Sequence, residues 1–315
     1  MNPSERPPLV ASLVGPTASG KTAVAVALSR LLPIEVVSAD SRQVYRRLDV
    51  GTAKPTAEER AAVPHWMVDV AEPTERFSAA RFGEEARAAF EEIRARGKLP
   101  VLVGGSGLYL RAAEEGLFEG PEADAEVRAR LGDVVEREGV EALHARLAAV
   151  DAETAERLHP RDVVRVTRAL EVWELTGTAL SEHHRRHRDA PSPVTPLRFG
   201  LEWPVEALDA RIAARTEAML AAGWEDEVRG LVAAGLGESP GMDALGYPEV
   251  RALVAGEIGR AEAAERITRA TRQFAKRQRT WFRAVAGVVW LPAAGRSAEE
   301  LAGEIAGRVE AAGRE

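Results

Sequence analysis

Leu9-Val-Ala-Ser-Leu-Val14 runs straight into Gly15-Pro-Thr-Ala-Ser-Gly-Lys21-Thr22, and this junction decides the fold. An apolar run followed by the spacing GxxxxGK[ST] predicts a strand, a glycine-rich turn and a helix opening at Lys21. The chemistry follows from the backbone. Glycines let it curl so that successive N–H groups and the helix N-terminus face an anion, the Lys21 ammonium neutralises charge, and the Thr22 hydroxyl can hold Mg²⁺. Gly15, Pro16, Thr17, Ala18, Ser19, Gly20, Lys21 and Thr22 therefore form a candidate phosphate site; a ligand-free strand-to-helix turn is the plainer alternative. The 42 basic residues include only four lysines, Lys21, Lys54, Lys98 and Lys276, so a compact ammonium is kept here in a chain that otherwise uses guanidinium.

Outward from this junction, short apolar runs alternate with helical stretches, the pattern of a parallel sheet covered by helices. Strands are expected at Leu9–Val14, Ile34–Ser38, Trp66–Val70, Pro100–Val103 and Leu197–Trp203, with a last one at Val288–Leu291; helices follow Lys21, Ser78 and Ser106. From about Gly120 to Arg188 the periodicity is helical throughout, and the proline-rich Ala190–Pro196 then returns the chain to the sheet. The expected fold is α/β, a P-loop NTPase-like parallel sheet flanked by helices, with residues 1–118 and 196–315 as the core and 119–195 as an all-helical insertion domain.

At 315 residues and 45% apolar content the chain is long enough for a large core. Its net charge of −7 argues against a globally basic nucleic-acid protein, so any RNA contact must rest on local patches. Cysteine is absent, which excludes disulfides, thiolate metal sites and cysteine nucleophiles. Met1-Asn-Pro-Ser-Glu-Arg-Pro-Pro8 lacks the apolar core of a signal peptide, and no apolar run reaches the roughly 18 residues of a membrane span; a cytoplasmic monomer without membrane contact is expected.

Ligands of open parallel sheets sit at the carboxyl ends of the strands. After the second strand comes Ser38-Ala-Asp40-Ser-Arg-Gln-Val-Tyr45, where Asp40 reads as a general base, an Mg²⁺ ligand or the N-cap of a following helix. Gly51-Thr-Ala-Lys54-Pro is a second anion contact or a turn. The fourth strand ends in Val103-Gly-Gly-Ser106-Gly-Leu-Tyr109, whose glycines permit close backbone approach to a ligand. Farther on, Arg266, Arg269, Arg272, Lys276, Arg277, Arg279 and Arg283 occupy a stretch without acidic residues, a cationic stripe suited to pyrophosphate or RNA phosphates, with Trp281 and Phe282 available for packing or base stacking. Arg157, His159, Arg161, Arg165 and Arg168 form a second basic cluster, and His183-His-Arg-Arg-His-Arg188 a third, whose histidines lack acidic company for a metal.

Taken together, Gly15–Thr22, Ser38–Tyr45, Asp49-Val-Gly-Thr-Ala-Lys-Pro55, Gly104-Gly-Ser-Gly-Leu-Tyr109, Asp243-Ala-Leu-Gly-Tyr247 and Thr271–Arg283 resemble the bacterial tRNA dimethylallyltransferase family. The resemblance spans Leu9 to about Leu291. It implies transfer of a dimethylallyl group from dimethylallyl diphosphate to N6 of the adenosine at tRNA position 37, next to the anticodon, with diphosphate leaving and Mg²⁺ as cofactor. It further implies that Asp40 takes the N6 proton, that Gly15–Thr22 holds the diphosphate, that Thr17 hydrogen-bonds the leaving oxygen and that Arg211 binds the diphosphate. Contacts with the tRNA anticodon stem-loop are implied at Asp40, Ser41, Arg42, Gln43, Ser106, Arg128, Arg165, Arg168, Asp243, Gly246, Tyr247 and Pro248. Two positions depart from the family pattern: Val164 opens the insertion motif in place of glutamine, and Ser106 replaces threonine. With no cysteine in the sequence, the zinc-finger extension of some relatives is not expected here.

A small-molecule kinase would use the same cradle for ATP, with Asp40 on Mg²⁺ or an acceptor hydroxyl. An adenylate isopentenyltransferase is a closer rival, against which the basic insertion favours a macromolecular acceptor. A non-enzymatic RNA-binding protein would leave Asp40 without a chemical task.

Overall fold

In the computed structural model, which describes residues 7–118, 120–188 and 191–313, the chain begins as expected with strand and helix in alternation. β1 (Leu9–Val14), α1 (Lys21–Leu28), β2 (Ile34–Ala39), α2 (Ala57–Ala62), β3 (His65–Trp66), α3 (Ala79–Ala95), β4 (Leu99–Gly104) and α4 (Gly107–Glu114) come first. Then come α5 (Ala125–Glu138), α6 (Val140–Val150), α7 (Ala152–Arg157), α8 (Val163–Thr176) and α9 (Leu180–Arg188). The chain closes with β5 (Thr195–Glu202), α10 (Val205–Ala221), α11 (Trp224–Ala233), a 3-10 turn at Pro240–Asp243, α12 (Tyr247–Val254), α13 (Arg260–Arg283), β6 (Val288–Pro292) and α14 (Ala298–Ala312). The opening residues 1–6, Ala190 of the proline-rich stretch and the side chain of Arg188 lie outside the described residues.

The strands form one sheet in the order β3-β2-β4-β1-β5-β6, every pair parallel. Successive side chains of a strand point to opposite faces, so Val10, Val14, Val37 and Leu102 enter one apolar cluster with Phe82 and Phe90, while Leu13, Val36, Val101 and Val103 enter another with Leu28 and Ile305. Both faces are thereby covered, which is why these strands read as near-continuous apolar runs. The connection from β1 departs toward β2 while β5 returns on the opposite side, which puts the topological switch point beside β1, where Gly15 begins.

The expected third strand, Trp66–Val70, is corrected to His65–Trp66. Met67 and Asp69 adopt left-handed backbone (φ 61° and 60°), and the Asp69 and Val70 amides bond to Gln43 and Val44 carbonyls rather than extending the ladder. Ion pairs from Asp69 to Lys54 and Arg60 hold this unfavourable conformation.

Packing divides the described residues into one unit drawn from Met1–Gly116 and Pro193–Glu315, which carries the sheet, and a second drawn from Leu117–Ser192. The second begins and ends slightly earlier than the expected 119–195. Its regular structure among the described residues is helical, α5 to α9, around a core of its own that includes Leu131, Leu143, Leu147, Val166 and Leu170. Among the described residues no helix is long and apolar enough to cross a membrane.

Candidate active site

Gly20, with φ 91°, turns the loop after β1 into α1 without a side-chain cap, so the first amides of α1 face the loop's interior. Ala18 also takes left-handed backbone, φ 62°. Lys21 folds back over this loop: Nζ donates to the carbonyls of Gly15 (3.0 Å) and Pro16 (2.8 Å) and to Ser19 Oγ (3.4 Å). Burial, reinforced by the Arg215 charge and opposed by Asp40, brings its pKa down to about 7.

α10 supplies two arginines one turn apart on the same face. Arg211 donates Nε–H to the Ala18 carbonyl at 2.8 Å and lies 4.4 Å from the centroid of the Trp203 ring, whose Nε1 donates to the Ser19 carbonyl at 3.0 Å. Arg211 thus stands at the phosphate loop, where the sequence expectation put it. Arg215 goes deeper and donates to Thr17 Oγ1 at 3.4 Å. Burial lowers its pKa, with Asp40 opposing and Arg211 adding to the shift. Sequence reading passed over Arg215, although its i+4 spacing from Arg211 was the available signal. It also passed over Gln278, a buried amide of α13 that accepts the Thr17 N–H; a polar residue on an otherwise apolar helix face was the clue.

Across the crevice, Asp40 follows β2 but caps no helix, because residues 41–44 form a turn. Its Oδ1 accepts from the amides of Arg42 (2.9 Å) and Gln43 (3.4 Å). Ser106 Oγ accepts the Ser41 amide at 3.1 Å, tying the ends of β2 and β4 together. Gln43 is taken up internally, with Nε2 on the carbonyls of Thr52 and Ala53 and Oε1 accepting from Ser38. Arg42 reaches the Pro240 carbonyl at 3.4 Å.

Of these groups, Thr17, Asp40, Ser41, Arg42, Ser106, Arg215 and Gln278 open onto one cavity of about 340 Å³. Thr17, Asp40, Ser106, Arg215 and Gln278 give it a polar end, while Ile212, Met219, Trp224, Leu245, Ile267 and Phe274 make the remainder apolar. A charged leaving group and a hydrophobic chain can share such a site.

Several expectations change. Lys54 is no anion contact: its side chain is buried, with Nζ on the Tyr45 carbonyl, Asp49 and Asp69. Phe282 lies in the core and is unavailable for base stacking. Trp281 packs against Gly107, with the Arg111 guanidinium 5.1 Å from its ring centroid. Gly246 and Tyr247 are buried as well, so neither presents a surface to RNA, whereas Asp243 and Pro248 are exposed. On α13, Arg269 and Lys276 are exposed as the helical spacing required, Arg277, outside that spacing, lines the cavity, and Arg266, Arg272 and Arg283 pair with Glu262, Asp209 and Glu202.

Within Leu117–Ser192, Arg128 and Arg168 are engaged by the buried Glu171: Arg128 bidentately at 2.8 and 3.1 Å, Arg168 at 2.6 Å with a further bond to the Pro121 carbonyl. Burial opposes ionisation of Glu171, but these hydrogen bonds prevail and lower its pKa. Arg165 is freely exposed beside Asp162, and Val164 next to it is 81% exposed. His183 stacks on Phe118 at 4.5 Å, and Arg185 and Arg186 pair with Glu182. Among the described residues no group of three or more acidic or imidazole side chains could hold a metal ion.

Residues 43–285 match the model of a family described as IPP transferase. The chain is 47% identical over 283 residues to the tRNA dimethylallyltransferase of Geobacter metallireducens, covering 90% of this chain and 92% of that one. Among solved structures it is similar to the full-length tRNA isopentenylpyrophosphate transferase of Bacillus halodurans, with a TM-score of 0.72, 38% identity and coverage of 97% and 96%. A eukaryotic dimethylallyltransferase acting on tRNA gives a TM-score of 0.76 at 27% identity, covering 91% of this chain and 74% of that one.

Proposed function

Since the chain belongs to the IPP transferase family, we propose that it transfers the dimethylallyl group from dimethylallyl diphosphate to N6 of the adenosine at position 37 of tRNA. The observation that carries this reading is the shared cavity: a phosphate loop and a carboxylate face each other across it, and its far walls are apolar. A kinase shares the first two features, and the apolar walls fit a five-carbon allylic chain.

The bond between the allylic carbon and the diphosphate oxygen breaks as the bond from that carbon to N6 forms. Arg211 and the amides of the phosphate loop stabilise negative charge as it grows on the diphosphate, and the effect is large where water is excluded. Thr17 Oγ1 accepts from Arg215, which leaves its own hydroxyl proton free for the leaving oxygen. Asp40 takes the proton that N6 releases; its Oδ1 is held by backbone amides, so Oδ2 would receive that proton. The adenosine must leave its stack to reach Asp40, at a cost of a few kcal/mol that is smaller in a loop than in a duplex.

Mg²⁺ fits the oxygen donors beside Lys21. Thr22 lines a cavity of about 50 Å³ beside Lys21 and Ser38, where its hydroxyl would hold Mg²⁺ together with phosphate oxygens and water, leaving Asp40 as the base. When bound, the ion would neutralise charge on the departing diphosphate. The anticodon stem-loop would meet Ser41, Arg42, Ser106, Arg165 and Asp243, within the cytoplasmic tRNA pool.

The test is mass spectrometry of unmodified tRNA incubated with the protein and dimethylallyl diphosphate. One adenosine gaining a five-carbon prenyl group, with stoichiometric diphosphate, is expected. Phosphorylation of a small molecule with release of ADP would establish the kinase reading instead.

A further inference from the structure

α13 turns Ala275, Gln278 and Phe282 inward, and its Arg277 lines the cavity beside Gln278. An amide on a buried apolar face is unfavourable unless both of its ends are paired. Gln278, only 6% exposed, pairs both: Oε1 accepts the Thr17 N–H at 2.8 Å, and Nε2 donates to the Gly105 carbonyl at 2.9 Å.

The two partners belong to different sides of the crevice. Thr17 is in the loop after β1, at the leaving-group end; Gly105 follows β4 and precedes Ser106, whose hydroxyl holds the turn that begins at Asp40. The bridge is also sterically exclusive. A Cβ on Gly105 would lie 2.3 Å from Gln278 Nε2, so the residue at 105 must be glycine for the amide to approach.

We propose that Gln278 is a positioning residue for prenyl transfer, setting the distance between Thr17 at the leaving oxygen and the Gly105–Ser106 edge that faces the acceptor base. A second consequence follows for the phosphate cradle. With its N–H committed to Gln278, Thr17 contributes its hydroxyl, not its amide, to the diphosphate. Asparagine is one methylene too short to span both partners, and glutamate keeps an acceptor for Thr17 but loses the donor to Gly105.

The inference rests on the prenyl-transfer reading, and one experiment separates the two. Wild type, Gln278→Met and Gln278→Glu are compared for kcat, for KM of dimethylallyl diphosphate, for affinity toward an anticodon stem-loop RNA, and for diphosphate released without transfer, with thermal melts alongside. Gln278→Met should lose about 30-fold or more in kcat, since misplacement by about 1 Å costs on the order of 100-fold. RNA affinity should stay within about threefold, and the share of diphosphate released by water attack should rise, giving dimethylallyl alcohol. Gln278→Glu should recover part of kcat, and it carries the test if Gln278→Met fails to melt cooperatively. A kcat within about threefold of wild type in a folded variant, or a loss confined to RNA affinity, overturns the positioning role. A wild-type protein that transfers no prenyl group overturns the functional reading, and this inference with it.

Discussion

Tyr247 donates its phenolic hydroxyl to the Glu227 carboxylate at 2.6 Å, and the same carboxylate gathers the backbone amides of Asp49, Val50 and Gly51. Two separated motifs, Asp49–Pro55 and Asp243–Tyr247, therefore meet on a third element, α11, which neither contains. Burial, followed by the Glu227 charge, drives the Tyr247 pKa far above its ordinary range, so the phenol is a donor at every accessible pH. Tyr247→Phe should cost about 1.5–3 kcal/mol in urea-unfolding stability, the usual worth of a hydrogen bond to a charged group. RNA affinity should be unchanged, because the ring has no accessible surface. Unchanged stability with weakened RNA binding would make Tyr247 a direct contact after all.

Asp40→Asn should abolish most of the chemistry while preserving the turn. The amide keeps an Oδ1 for the Arg42 and Gln43 amides but cannot take a proton as a carboxylate does. Loss of about 100- to 10,000-fold in single-turnover rate is expected, with RNA affinity within a few-fold. A rate within about threefold of wild type would remove Asp40 from the role of base.

Lys21 makes diphosphate binding dependent on pH. Its folded pKa of about 7 lies below the ordinary 10.5, so above neutrality the free protein holds a neutral amine. A bound diphosphate favours the ammonium; binding should therefore take up protons and weaken as pH rises above about 7. The same shift acts on folding with a definite sign. Between about 7 and 10.5 the unfolded chain holds more protons, so this residue's contribution to stability rises through that window, and its burial penalty is fully present below it. Calorimetry in buffers of different ionisation heat should show proton uptake approaching one near pH 8.5 in wild type and little uptake in Lys21→Met. Equal uptake in both would assign the proton elsewhere.

Arg165 and Arg168, three residues apart, should separate into different classes. Arg168→Ala leaves the buried Glu171 with one fewer partner and should lower the melting temperature by several degrees. Arg165→Ala should leave the melt unchanged and flatten the slope of log RNA affinity against log salt by about 0.7–0.9. If Arg165→Ala changes neither affinity nor slope, the exposed arginines of α13 become the better phosphate contacts.

Local chemistry made much of this protein legible in its sequence. The strands β1, β2, β4, β5 and β6, the loop Gly15–Thr22 and the strand-end position of Asp40 depend on patterns within a few residues: apolar runs buried on both faces, glycines at a turn, a carboxylate at a strand tip. The helical insertion showed itself through periodicity for the same reason. Tertiary structure alone decided which polar groups meet. Thr17 is 261 residues from Gln278 and 198 from Arg215, and Asp49 is 178 from Glu227, so no local spacing encodes these bonds. Burial decided the rest: Lys54 is turned inward by the Tyr45 carbonyl, Asp49 and Asp69, while Arg128 and Arg168, both partly exposed, are held by the buried Glu171. β3 is shortened by nearer partners, Lys54 and Arg60, 15 and 9 residues away, which hold Asp69 in left-handed backbone. A residue's type sets which interactions it can make; the folded chain determines the partners within reach and whether water remains to compete for them.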